Sequence, residues 1–389
     1  MQTDLDLVVL GGGCAGLSLA LRLAEQPGRC RQVMVIESRS AYTNDRSWCF
    51  WHLGPHRYET LVRRSWSRVA VRSSSQTVQV ACAHTPYQML EAGAFYDHAY
   101  RAIAASDGVR LQMGVSVLGP PRPVPGGWRV ETSAGGLTAA QVIDTRPPRA
   151  PRHGDSALWQ SFLGQEVICE RPVFDPSRVE LMDFAHDSPE AVAFTYVLPL
   201  SPDRALVETT LFDPQPRGPA DLARRQQQAV LRLCGDAPSF VVRTEAGILP
   251  MGMTRPAKPL GPGHVRAGLM SGAARPATGY AFQRIQRWAD GCGDALRRGE
   301  AASGHTPDPL LTRLMDRLFL DVLRTHPKRG PELFTRLFAR TATPRMVRFL
   351  SDRATFIDRV AVAASLPTGL FLRQLMLPAP PRAVHALPL

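Results

Sequence analysis

Apolar residues dominate residues 5–10, interrupted only by Asp6, recur at a helical period after Gly16, and run again through residues 33–36. Strand, amphipathic helix and strand within roughly 30 residues predict a β–α–β unit. Residues 69–80 alternate apolar and polar side chains as one strand would, and residues 87–105 read as an amphipathic helix. Short strands are expected at 115–118, 128–132 and 137–144, the last returning the chain to the first sheet at Asp144, Thr145, Arg146 and Pro147. From about 151 to 243 the pattern is strand-rich, with runs at 166–170, 179–184, 191–198 and 205–210, as in a second sheet inserted into the first unit. Residues 244–250 and 265–268 lead back, and helical periodicity fills the remainder. The expected organisation is an α/β domain over 1–150 with a cap-like segment near 45–85, a strand-rich substrate domain over 151–243, a return to the first domain over 244–290, and a helical region over 291–389.

Between the first strand and its helix stands Gly11-Gly12-Gly13-Cys14-Ala15-Gly16, a G-x-G-x-x-G in its required context, and Glu37 closes the second strand about 20 residues beyond the last glycine. Gly11 allows the tight turn, Gly13 lets backbone N–H groups approach a pyrophosphate, and Gly16 lets the helix pack on the strand. The phosphates then meet the positive end of the helix dipole. Glu37 would accept hydrogen bonds from a ribose hydroxyl and repel a 2′-phosphate, which points to the ADP half of FAD or NAD. Residues 266–280 add a short strand, a loop of small residues and a helix start expected near Pro276, where a missing N–H is tolerated. A helix beginning there would aim its positive end at negative charge on a bound ring. No second dinucleotide fingerprint is present, so an electron donor is left unspecified.

The formal charge is +12, from 46 basic and 34 acidic residues, and every basic residue except Lys258 and Lys328 is arginine. The arginines are dispersed, with no nucleic-acid-binding motif, so nucleic acid is not an expected partner. An anionic membrane surface fits better, beside the alternative of a compositional bias with no partner. Seven scattered cysteines without C-x-x-C spacing predict reduced thiols in a cytosolic protein, with no zinc site. Asp4 and Asp6 interrupt the place of a signal peptide, and no run of roughly 18 apolar residues would span a membrane. Between Glu332 and Leu377, Phe334, Leu337, Phe338, Met346, Phe349, Leu350, Phe356, Leu370 and Phe371 interleave with arginines such as Arg345, Arg348 and Arg353. Such a basic amphipathic face either packs on its own core or lies in a membrane interface.

Further motifs follow one another along the chain: Arg46-Ser47-Trp48-Cys49-Phe50, Val142-Ile143-Asp144-Thr145-Arg146, Leu181-Met182-Asp183, and Tyr196-Val197-Leu198-Pro199-Leu200-Ser201. After them come Leu206-Val207-Glu208-Thr209-Thr210, Glu245-Ala246-Gly247-Ile248-Leu249-Pro250, and Arg266-Ala267-Gly268-Leu269 with Thr278-Gly279-Tyr280. In these motifs and their order, from the glycine fingerprint to about Gln286, the chain resembles the bacterial lycopene cyclases of the flavoprotein type. The resemblance implies a Rossmann-like FAD-binding domain of the aromatic hydroxylase and prenyl reductase type. It implies an FAD that is active when reduced, with NAD(P)H or another donor as the electron source. The implied reaction has no net redox change. A ψ end of lycopene is protonated, the internal double bond attacks the tertiary cation, and loss of a proton leaves a β-ring. Two closures, by way of γ-carotene, give β-carotene. Lycopene and related ψ-ended carotenoids are the implied substrates, drawn from the inner face of the membrane, with other carotenoid-pathway enzymes as neighbours.

Carried over by position, the cofactor contacts fall on Gly11, Gly13, Cys14, Ala15, Gly16, Glu37, Arg46, Asp144, Gly268, Gly272, Pro276, Thr278 and Gly279. The substrate cavity falls on Trp48, Phe50, Phe184 and Tyr196, with Trp51, Phe194 and Phe212 as further aromatics. An alkene is a poor base, so the reaction needs a positioned acid, a dry cavity and electron-rich groups beside the cation. Glu208 occupies the family's acidic position, where desolvation would keep it protonated until needed. Whether it or the reduced flavin moves the proton stays open. Many relatives carry a second acid after this glutamate, whereas Thr209 stands here, so Asp183 and Glu245 are the supporting candidates. Gly268-Leu269 replaces the Gly-Asp of related hydroxylases. Rival readings of the same features are an FAD-dependent monooxygenase, a polyene or prenyl reductase, and a non-catalytic carotenoid carrier.

Overall fold

The computed structural model describes residues 4–26, 28–30, 32–147, 150–184, 190–253 and 258–376. Strand β1 (Leu5–Leu10) turns through the glycines into α1 (Cys14–Glu25), and β2 (Val33–Ile36) follows in parallel beside it. The chain then makes β3 (Ser47–Trp51), β4 (Val62–Trp66), β5 (Arg68–Arg72), β6 (Thr77–Ala81) and β7 (Tyr87–Glu91), which runs directly into α2 (Ala92–Ala104). Next come β8 (Val109–Gln112), β9 (Arg122–Val124), β10 (Gly127–Thr132) and β11 (Gly135–Asp144), then β12 (Ser156–Cys169), β13 (Val179–Asp183), β14 (Val192–Ser201) and β15 (Arg204–Asp213). Helix α3 (Pro219–Cys234), β16 (Ser239–Met253) and β17 (His264–Arg266) precede the helices α4 (Phe282–Arg297), α5 (Leu310–Thr325), α6 (Gly330–Arg340), α7 (Thr343–Leu350), α8 (Phe356–Ser365) and α9 (Thr368–Met376).

Three sheets organise the chain. The first has the order β8-β2-β1-β11-β10-β9, with β17 also paired in parallel to β11, and its central strands are apolar on both faces because helices cover one face and side chains of β10 and residues 115–117 cover the other. The second has the order β16-β12-β15-β14-β13-β5-β6, and the third, smaller, β3-β7-β4. One apolar core joins α1, α2 and α4 to the first sheet, and another joins the second sheet to α5, α6 and α7.

Several elements differ from the periodicity. Residues 69–80 form a hairpin, β5 and β6, because Ser73 N donates to Gln76 O at 2.8 Å and turns the chain while the alternation carries on across the turn. The first five residues of the helix expected at 87–105 are strand β7. That strand is central in its sheet and buried on both sides, so its apolar residues mimic a helix face. At 115–118 only Val117 makes a bridge, to Thr132. Strand β12 starts at Ser156, well before 166. No helix starts at Pro276. Arg275 N donates to Tyr280 O and Gly279 N to Arg275 O, closing a loop with Gly279 at φ +70°, and the helix begins only at Phe282.

The C-terminal apolar face mostly packs inward. Phe334, Leu337, Phe338, Met346, Phe349 and Leu350 are buried in the core against the second sheet, and Arg348 is held by Asp358. Of the named apolar residues that are described, Phe356 alone is exposed, and Leu377 lies outside the described residues. No helix among the described residues is long and apolar enough to cross a membrane.

Candidate functional site

Four neighbouring strands place one row of residues on a single face of the second sheet. Tyr196 of β14 pairs with Glu208 of β15, Glu208 with Gly164 of β12, and Gly164 with Glu245 of β16. Paired residues across a sheet point the same way, so both carboxylates rise from one face with a residue lacking a side chain between them. A Cβ at Gly164 would lie 3.1 Å from Glu245 Cγ and 3.4 Å from Glu208 Cβ. Two residues along, Gly247 leaves space for the Phe162 ring, which a Cβ would approach to 2.6 Å.

This floor faces the glycine turn across a cavity of about 600 Å³. Gly11 holds φ +99°, and a Cβ at Gly16 would strike Gly11 O at 2.0 Å, so both positions require glycine. No side chain caps α1 at Gly13, and a Cβ on Gly13 would meet nothing within 4 Å. The unpaired N–H groups of the first turn therefore open onto the cavity, a cradle suited to a pyrophosphate. Glu37 also lines it. Burial would raise this carboxyl, but Arg39 and the Gly12 N–H, at 2.8 Å, hold it below its usual range.

Glu208 lines the cavity. Burial, and then the neighbouring charge of Glu245, push its carboxyl up to about 8, against a 3.0 Å hydrogen bond donated by Thr210. Burial raises Glu245 as well, but Arg243 and Ser47 oppose it. Arg243 pairs directly with Glu245 and with Glu166 at 3.1 Å, and the Ser47 hydroxyl donates to Glu245 at 2.9 Å. Arg243 and Ser47 favour the negative charge on Glu245, whereas burial and that neighbour favour the protonated form of Glu208.

Of the residues singled out in the sequence, Gly11, Gly13, Cys14, Ala15, Glu37, Arg46, Gly268, Thr278, Gly279, Trp48, Tyr196, Glu208 and Glu245 line this one cavity. Gly16 packs α1 on β1. Asp144 is buried beneath the cavity wall, paired with Arg146 at 2.9 Å and Arg266 at 3.2 Å, and it is Arg146 that reaches the cavity. Gly272 and Pro276 lie in the preceding loop, off the cavity lining, and the helix N-terminus that does reach it is that of α4, at Ala281 and Phe282. Phe50 stacks on Phe282, and Phe184 packs against Phe334, both inside cores. Trp51, Phe194 and Phe212 belong to the same core as Phe184. Asp183 pairs with Thr195, which pairs with Thr209, so it stands on the opposite face of the sheet, where Arg232 of α3 holds it at 3.0 Å. Thr209 shares that face, its N–H donating to Gln226 of α3, so an acid directly after Glu208 would not enter the cavity.

Sequence reading missed Arg39, Tyr87, Gln160, Phe162 and Arg243. Arg243 lies two residues before Glu245 on a strand, hence on its face, and that spacing was a usable signal; Gln160 and Phe162 carried none. Tyr87 and Tyr280 bring their hydroxyls to 3.4 Å beside the cavity. Away from it, His52, His56 and Glu59 bring their ligand atoms within 4.8 Å of one another, but the His56 ring is already engaged by Gln88 and the Tyr58 N–H.

The family profile described as lycopene cyclase protein matches residues 6–376. The chain is 25% identical over 380 residues to a lycopene beta-cyclase of Pseudescherichia vulneris, covering 93% of this chain and 94% of that one. It is 27% identical over 393 residues to one of Paracoccus sp. (strain N81106 / MBIC 01143), again covering 93% and 94%. Among solved structures it resembles a geranylgeranyl bacteriochlorophyll reductase-like protein of Thermoplasma acidophilum, with TM-score 0.59, 13% identity and 95% and 98% coverage. It also resembles the flavin-dependent monooxygenase PieE in complex with FAD and substrate, with TM-score 0.59, 13% identity and 96% and 73% coverage. These likenesses fix the fold as that of FAD-dependent monooxygenases and reductase-like proteins.

Proposed function

Starting from the fact that the chain belongs to the lycopene cyclase family, we propose that it is a lycopene beta-cyclase, closing β-rings on the ψ ends of lycopene in carotenoid biosynthesis without net redox change. The observation that carries this reading is Glu208, a carboxyl pushed up to about 8 inside a cavity that also contains the glycine cradle. A monooxygenase needs no such acid. An alkene does, because it takes a proton only from a positioned, undissociated donor.

Glu208 holds its proton until a terminal double bond lies against it, then passes that proton to the alkene carbon. The internal double bond attacks the resulting tertiary cation and closes the ring. The carboxylate left on Glu208 takes back a ring proton, so the carboxyl is regenerated and the product has the mass of the substrate. Glu245, kept anionic by Arg243 and Ser47, lies on the same face and opposes the developing positive charge. The rings of Trp48, Tyr87, Tyr196 and Tyr280 line the cavity and contribute about 1–2 kcal/mol of cation–π attraction where desolvated.

FAD suits the residues present. Gly11, Gly13, Cys14 and Ala15 would hold its pyrophosphate, Glu37 its ribose, and Gly268, Thr278 and Gly279 would flank its ring. The reduced flavin, supplied with electrons by NAD(P)H or another donor, would add negative charge beside the cation. Lycopene does not cross water at a useful rate, so it is collected from a membrane surface by peripheral association.

Expression of the chain in a bacterium that accumulates lycopene tests the reading. The expected pigments are cyclic isomers of unchanged mass, carrying one solvent deuteron per ring when made in deuterium oxide. Lycopene recovered unaltered beside soluble, flavin-loaded protein would overturn it.

A further inference from the structure

We propose that a narrow crevice between β3, α4 and the end of α7 is the passage through which the apolar tail of a long polyene leaves the catalytic cavity, with Asp352 as the clasp that holds it closed. The inference rests on the cyclase reading. A cavity of about 600 Å³ has the size of a site for one drug-sized ligand, yet that reading asks it to take a dinucleotide and one end of the polyene. The rest of the polyene has to lie elsewhere.

The crevice supplies a continuation. It shares Cys49, Tyr280, Ala281 and Phe282 with the catalytic cavity and runs on past Trp51 to Leu350, Ser351 and Asp352. Its open space is about 20 Å³, enough for a water-sized body and too little for a polyene, so the corner after α7 has to move. Arg275 donates to Phe349 O at the end of α7, and Asp352 ties the corner that follows. Asp352 is the one non-glycine residue with positive φ among the described residues, at +60°. Its carboxylate pairs with Arg287 at 2.9 Å and Arg284 at 3.0 Å on α4, and with Arg275 at 3.7 Å. A backbone in the left-handed region, held by two ion pairs to α4 and a third to the loop before it, is a closed state that can be released. Just beyond the corner, α8 exposes Phe356, Ile357 and Val360, at 68%, 64% and 50%, so an emerging tail meets apolar surface.

Two substrates separate the roles: lycopene delivered in phosphatidylcholine–phosphatidylglycerol vesicles, and a ψ-ended polyene alcohol truncated to fit the catalytic cavity alone. Gln283, which lines the crevice and donates to Trp51 O at 2.9 Å, is only part-buried, so Gln283→Trp fills the passage without disturbing a core. It should lower kcat/KM for lycopene at least tenfold and for the short polyene less than twofold. Asp352→Asn keeps a side chain that tolerates positive φ but removes the charge. It should raise the rate with lycopene at least threefold, with retained flavin and unchanged turnover of the short polyene. Equal effects of Gln283→Trp on both substrates, or none on either, would overturn the passage. A lycopene rate unchanged or lowered in Asp352→Asn would overturn the clasp. Cyclisation of neither substrate by the unmodified protein would instead remove the cyclase reading on which both rest.

Discussion

Glu208 and Glu245 flank Gly164 in register on one face of the second sheet, and each comes within van der Waals reach of where a Gly164 Cβ would stand. Their closeness makes one carboxyl hard to ionise while the other is stabilised by Arg243.

Replacing Glu208 by Gln keeps shape and removes the proton source. Ring closure should fall by about 10²- to 10⁴-fold, the usual contribution of a positioned acid, while flavin binding is retained. Chromatography of pigments against flavin absorbance checks both at once.

Gly164→Ala inserts a methyl group where Glu245 Cγ, Leu206 Cδ1 and Glu208 Cβ lie at 3.1, 3.3 and 3.4 Å. Overpacking of this kind should cost about 1–3 kcal/mol of stability. It should also part the carboxylates, so the apparent pKa governing turnover falls as Glu245 withdraws. Thermal unfolding and a pH–rate profile read the two effects separately.

On the proposed mechanism, in which Glu208 acts when protonated, turnover should decline as pH rises through about 8. Stability follows the same group with a defined sign. Between the ordinary value of 4.5 and about 8, the folded chain keeps a proton on Glu208 that the unfolded chain has lost. Its contribution to stability therefore decreases as pH rises across that window and levels off beyond it. Glu208→Gln should flatten this slope in denaturant titrations, and Glu245→Gln should move the rate profile to lower pH.

Asp183→Asn should leave turnover within about twofold and lower stability by about 1–3 kcal/mol, because the change weakens a buried charged contact with Arg232 on the far face of the sheet. A large loss of rate with intact folding would place Asp183 in the chemistry after all.

The glycine cradle was legible because its logic is local: Gly11, Gly13 and Gly16 act on neighbours within one turn, and Glu37 ends the adjacent strand. The row of Tyr196, Glu208, Gly164 and Glu245 was not, because it depends on register among strands far apart in the chain. Glu208 came to notice through resemblance, and Gly164 had no signal that sets it apart from any other strand glycine. The helix expected over 87–105 failed in its first five residues since a strand buried on both faces has no polar alternation to betray it. The helix start at Pro276 failed because proline suits a tight loop as well as a first helical turn, and Gly279 at φ +70° decides for the loop.

Strand β17 pairs with β11 only after five strands of the second sheet, β12 to β16, have intervened in the chain. On a ribosome, Gly268, Thr278 and Gly279 emerge long after the glycine cradle they face. Capture of a dinucleotide therefore cannot be an early event that guides the first domain. It reports that both halves of the cavity have come together, and a nascent chain stopped before His264 should carry the fingerprint yet bind no flavin tightly.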